Sequence, residues 1–233
     1  MIEFIPASEL KKEYAVFGHF YSIRVNSECE IDCRSVLEII NKENGVKNYE
    51  SLSSMLPDAV FIMMNPGSSR PLNEKSKIIS YNDVGQLEVS LVPTKPDTTQ
   101  YQVMRVMKFC KWNHVRVLNL SDLRDPKSGK FIQRYRKVEN KTGFLEHSIF
   151  AEVRKNELES KLKRKIAAPV VCAWGVSADL DPLIKKCVNK ISHITKTSGL
   201  LKKGTINKYF HPLPTLQIDK EKWVSNMVEQ IKI

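Results

Sequence analysis

Short apolar runs separated by longer amphipathic stretches set the pattern of this chain. Residues 14–25 (YAVFGHFYSIRV) are aromatic and β-branched enough to predict one or two strands. Residues 35–41 read as a short helix, and Leu56-Pro57-Asp58 breaks the chain before an apolar run, 59–64, that predicts a buried strand. Asp97-Thr98-Thr99 offers capping oxygens to a helix whose Val103, Val106, Met107 and Cys110 fall at helical spacing. Residues 114–120 predict a second short strand. A long charged helix over 147–166 then leads through Pro169 into a third strand, 170–175. A helix over 181–188 precedes a fourth strand at Tyr209-Phe210, and residues 220–231 close the chain helically. Residues 70–96 are the least regular and read as a hairpin excursion or a flap.

Strands separated by helices imply crossover connections. The expected fold is therefore α/β, a three-layer α/β/α sandwich with a mostly parallel central sheet. With 233 residues, 42% of them hydrophobic, the chain can bury one sizeable core, so a single domain over 1–233 is expected. Sites in such sheets form in the loops beyond the carboxyl ends of the strands. Those loops follow Met64, Leu120, Trp174 and Phe210.

Charge narrows the partner. Lys and Arg number 37 against 26 Asp and Glu, a formal net charge of +11, which favours nucleic acid first and an anionic membrane surface second. Residues 182–218 hold seven lysines (Lys185, Lys186, Lys190, Lys196, Lys202, Lys203, Lys208) and no acid. A second basic stretch runs Lys127, Lys130, Arg134, Arg136, Lys137, Lys141. No apolar run approaches the ~20 residues that span a bilayer, so no membrane partner is expected. The N-terminus lacks the basic and apolar regions of a signal peptide, and five scattered cysteines suit reduced thiols, so a cytoplasmic location is expected. Cys29 and Cys33 have no nearby second pair to complete a metal site.

Four short strings carry the candidate chemistry. Met63-Met64-Asn65-Pro66-Gly67-Ser68-Ser69 follows the first core strand, Leu118-Asn119 ends the second, Ala173-Trp174-Gly175 ends the third, and His211-Pro212-Leu213-Pro214 follows the fourth. In this order, over residues 58–216, they resemble the uracil-DNA glycosylase superfamily. There the first motif is Gly-Gln-Asp-Pro-Tyr in one branch and Gly-Ile-Asn-Pro-Gly in the mismatch-specific uracil/thymine branch, which is the closer. The last motif is His-Pro-Ser-Pro-Leu. This chain departs from the pattern at Met63, where the family has glycine, at Leu213, where it has serine, and at Thr215, where it has its leucine wedge.

The resemblance implies hydrolysis of the N-glycosidic bond of a flipped pyrimidine in DNA, leaving an abasic site, in repair or in defence against phage. Asn65 would position the attacking water and His211 would stabilise the departing base. Met64, Pro66, Gly67, Ser68, Ser69 and Asn119 would line the base site, with Tyr81 available to stack. The glycine branch at Gly67 admits a C5-modified pyrimidine, including hydroxymethylated or glucosylated phage-type bases. Arg124, Lys202, Lys203, Lys208, Pro212, Leu213 and Leu216 would contact duplex or single-stranded DNA. The reaction calls for no metal and no organic cofactor, and a monomer suffices. Two other readings remain open, a catalytically silent nucleic-acid-binding module and a nucleotide or nucleoside hydrolase.

Overall fold

Valine, isoleucine, phenylalanine and tyrosine crowd positions 14–41. In the computed structural model, which describes residues 2–26, 29–44, 49–52, 54–73 and 76–232, this stretch forms two long antiparallel strands. A helix, α1 (Ala7–Glu13), leads into β1 (Tyr14–Asn26) and β2 (Cys29–Asn41). There follow α2 (Tyr49–Leu52), β3 (Ala59–Met63), β4 (Arg70–Pro71), β5 (Lys77–Ser80), β6 (Val92–Lys95), α3 (Thr98–Cys110) and β7 (His114–Asn119). The chain continues through α4 (Ser128–Thr142), α5 (Lys155–Leu162), β8 (Val170–Ala173), α6 (Asp181–Ile191), β9 (Thr197–Ser198) and α7 (Gln217–Lys232).

The sheet runs β4-β6-β1-β2-β7-β3-β8-β9, with β5 paired to β1. The α/β class holds, but the mostly parallel sheet expected from the sequence does not, because the sheet is mixed. β7, β3, β8 and β9 form a parallel quartet. β2 joins that quartet antiparallel through β7, and β1, β4 and β6 continue with antiparallel pairings. The reason lies in chain length: β1 and β2 are two residues apart, far too few for a crossover. Residues 35–41 are strand rather than helix because β2 lies between β1 and β7 with residues 33–40 buried. A central strand buried on both faces loses the alternation that marks a strand in sequence.

Helices cover both faces of the quartet. Val60 and Ile62 face α4, α5 and α6 through Phe131, Tyr135, Leu158, Leu183 and Cys187. Ala59, Phe61 and Met63 face α1, α3 and α7 through Leu10, Val103, Met107, Trp223 and Met227. Successive residues of β3 thus supply two cores, as a period of two requires. Among the described residues no helix is long and apolar enough to cross a membrane.

Three other boundaries differ from the sequence reading. The basic stretch at 127–141 is helix α4, with Phe131, Tyr135 and Val138 buried on one side. The expected helix over 147–166 shortens to α5, because buried His147 bonds Ser121 Oγ at 2.8 Å and the chain turns there. Tyr209 makes only isolated bridges, to Gly175 and Leu201, and β9 takes the fourth parallel place.

Candidate active site

β3 and β7 end side by side, with Met63 opposite Asn119. The turn after β3 and the loop after Phe210 close over this edge and leave a cleft of about 290 Å³. Asn65, Met64, Pro66, Gly67, His211 and Leu213 line it, together with Arg34, Asp97, Gln100 and Asp125. A wider depression beside β9, about 530 Å³, has Tyr209 as its sole ionisable lining residue.

His211 is held from both sides. The Phe210 carbonyl accepts from Trp223 Nε1 at 3.0 Å, and the Pro212 carbonyl accepts from Gln102 Nε2 at 2.9 Å. The Leu213 N–H donates to His211 Nδ1 at 3.2 Å, so Nδ1 is the acceptor and the neutral ring carries its proton on Nε2. Part of the ring stays at the cleft surface while protein surrounds the rest. That burial pushes its pKa down to about 4. At neutral pH the cleft therefore holds an uncharged N–H donor.

Asn65 is fixed through its nitrogen. Nδ2 donates to the Asp125 carbonyl at 2.8 Å and to the Leu123 carbonyl at 3.4 Å, which leaves Oδ1 as an acceptor without a partner among the described residues. Asn119 lies beneath, wholly buried and outside the cleft lining. Its amide donates to the Asn65 carbonyl at 3.1 Å and accepts from Arg34 Nη2 at 3.1 Å. In this arrangement Asn119 supports the Asn65 turn from below.

Three charged residues that the sequence reading did not place there, Arg34, Asp97 and Asp125, complete the cleft. Arg34, on β2, donates from Nη1 to the Pro66 carbonyl at 3.3 Å. Burial pushes its pKa down to about 10, so it stays cationic at neutral pH. Ser35 is an extra residue in the β1–β2 register, between the pairs His19–Val36 and Phe20–Arg34. Such bulges re-aim neighbouring side chains, here that of Arg34. Asp97 caps α3, with Oδ1 accepting from the Thr99 and Gln100 N–H groups at 2.9 and 3.2 Å. Its other oxygen lies against Gly67. A Cβ on Gly67 would stand 2.6 Å from Asp97 Oδ2, and the backbone there has φ +65°. Glycine is needed both for the turn and for the carboxylate's approach, and the carboxylate fills part of the room the missing side chain leaves.

The remaining expected residues are spread more widely. Ser68 is exposed at the tip of the turn, and Ser69 is buried with its hydroxyl unpaired among the described residues. Tyr81 begins a short 3₁₀ turn, and its side chain lies outside the described residues. Arg124 pairs with Asp32 at 3.2 Å and stacks over the Phe20 ring. Lys202 and Lys203 are exposed, whereas Lys208 bonds the Ser177 carbonyl at 2.9 Å and the Asp181 carboxylate. Pro212 is buried, and Leu216 stands free at 61% exposure.

Neutral buried histidines have a consequence for stability. Burial pushes His19 as well as His211 down to about 4, and lowers His147. A histidine with a depressed folded pKa does not disfavour folding above its unfolded value near 6.5. The folded state then loses stability as pH falls from 6.5 towards 4. Asp122 works in the opposite sense, since burial pushes it up to about 6. At pH 5 His19 and His211 together remove about 2–4 kcal/mol and Asp122 returns about 1 kcal/mol. Urea unfolding is expected to shift to a lower midpoint between pH 7 and pH 5; an unchanged or higher midpoint would contradict the neutral assignment.

No family model, no curated protein and no solved structure matches this chain.

Proposed function

We propose that this protein is a monofunctional DNA glycosylase with a sheet of the uracil-DNA glycosylase kind, hydrolysing the N-glycosidic bond of a flipped pyrimidine, including C5-modified bases, to leave an abasic site. One observation carries the reading: Asn65 and His211, far apart in sequence, line the same cleft, one as an acceptor and the other as a neutral donor. Breaking the bond separates charge between an oxocarbenium-like sugar and an anionic base. Asn65 Oδ1 holds a water for the sugar, and His211 Nε2–H donates to the base as negative charge grows on it. Because His211 is uncharged, it gives a hydrogen bond without first having to gain a proton.

The exposed lysines Lys202 and Lys203, ahead of the His211 loop, suit contacts to phosphates. The parallel quartet order β7-β3-β8-β9 places the first and second motifs on adjacent strands, which supports the likeness to the superfamily. The proposed setting is the cytoplasm, with a monomer as the active form and DNA as the partner.

Oligonucleotides bearing uracil, a G·T mismatch, hydroxymethylcytosine or glucosylated hydroxymethylcytosine, in single and double strands, test the activity. Incubation followed by alkali is expected to cleave at least one of them at the modified position. Silence across the panel and on modified phage DNA would leave the binding-module reading. Base release from free nucleosides with duplexes untouched would select the nucleoside hydrolase.

A further inference from the structure

The cleft holds a carboxylate that the proposed reaction has not yet used. Asp97 and Asp125 are the two acids among its lining residues. Both oxygens of Asp125 are committed, Oδ1 to the Lys127 N–H at 3.0 Å and Oδ2 to Arg134 at 3.3 Å. Asp97 is divided instead. Its Oδ1 is fixed by the two N–H groups that open α3, and Gln100 Oε1 accepts in return from the Asp97 N–H at 2.9 Å. This reciprocal cap holds the side chain in one orientation. Oδ2 lies beside Gly67 at the cleft wall, where an alanine methyl would stand 2.6 Å from it and force the carboxylate to move.

A helix cap needs one oxygen, and serine or threonine would serve. The second oxygen is what a carboxylate adds. Asn65 can orient a water but, as an amide, cannot take its proton. A reaction that develops positive charge on a sugar gains from a fixed negative group at the same cleft.

We propose that Asp97 is a catalytic residue of the glycosidic cleavage, acting on the water and the sugar through Oδ2. This rests on the glycosylase reading. The water's oxygen forms a bond to the anomeric carbon as the bond from that carbon to the base nitrogen breaks. The electron pair leaves with the base, which His211 Nε2–H stabilises, and one water proton passes to Asp97 Oδ2. Transfer of that proton through solvent to the base completes hydrolysis, with a hemiacetal at the sugar and a neutral free base.

The test needs no knowledge of the natural base. A duplex carrying a pyrrolidine abasic analogue presents a cation where the oxocarbenium charge develops, and a tetrahydrofuran analogue presents the same shape uncharged. Wild-type protein is expected to bind the pyrrolidine duplex about 10²-fold more tightly. Asp97→Asn, which keeps an oxygen for the cap, is expected to lose that preference while holding the tetrahydrofuran duplex as before. Asp97→Ser, a cap of another shape, is expected to behave the same way, and thermal melting checks that both remain folded. If either folded variant keeps the full preference, or if wild-type protein binds both duplexes equally, the assignment of Asp97 is overturned while DNA binding at an abasic site stands. The assignment is also overturned if the variants alter the choice among C5 substituents but leave the cation preference intact. If wild-type protein holds neither analogue better than an unmodified duplex, the glycosylase reading falls, and Asp97 with it.

Discussion

Replacing His211 with alanine is expected to slow base release by about 10²–10³-fold, the usual loss when one preorganised donor to a developing anion is removed. The fold should survive. Among the described residues the His211 side chain accepts only the Leu213 N–H, while the loop is tied through the Phe210 and Pro212 carbonyls, which the substitution leaves in place. The loss is expected to be uniform across neutral pH, because the wild-type ring already lacks a charge there, its pKa lying near 4. Single-turnover release from whichever substrate the oligonucleotide panel identifies, measured between pH 6 and 8, is the check. A variant that retains its rate within threefold would remove His211 from the mechanism.

The second large effect concerns stability. Arg154→Ala is expected to cost about 3–5 kcal/mol, because it strands a buried carboxylate. Arg154 Nη1 lies 2.7 Å from Asp122 Oδ2, both side chains have no exposure, and Tyr21 donates to the same oxygen at 2.8 Å. Asp122 Oδ1 has no partner among the described residues, so when the guanidinium goes the carboxylate keeps the Tyr21 hydroxyl and no cation. The damage should reach the site, since the Asp122 carbonyl accepts the Arg34 N–H at 2.9 Å. Arg24→Ala supplies the control: its pair with Glu30 is half exposed, and such pairs are worth about 0–1 kcal/mol. Urea unfolding of the two variants should separate clearly. Equal losses would mean that the buried pair does not stabilise this core.

The sequence showed some of this and hid the rest for identifiable reasons. β3 and β8 were legible as short apolar runs and β7 by its β-branched Val115 and Val117; of the strings at their ends, the one after β3 lines the cleft. β2 was misread because a strand buried on both faces has no alternation, and Val36, Leu37, Ile39 and Ile40 fit a helical face as well. That error hid Arg34, which reaches the cleft only from a central strand. Asp97 was legible as a helix cap, but nothing in the sequence showed that Gly67 would fold against its second oxygen. Lys208 looked free among acid-free neighbours; Asp181, one residue before that stretch begins, folds back to meet it. Asn119 ends its strand as its motif implies, but it is wholly buried and bonded to Arg34, a partner that the sequence reading did not place beside it.

The double tether of the His211 loop also ties the donor to two helices rather than to the sheet. Gln102, on α3, bonds both the Pro212 and the Lys220 carbonyls at 2.9 Å, and Trp223, on α7, bonds Phe210. α3 and α7 share one core cluster through Met107, Trp223 and Met227. A core substitution there would shift the His211 ring while the Asn65 turn, carried by β3, stayed in place, so the two halves of the site answer to different parts of the core.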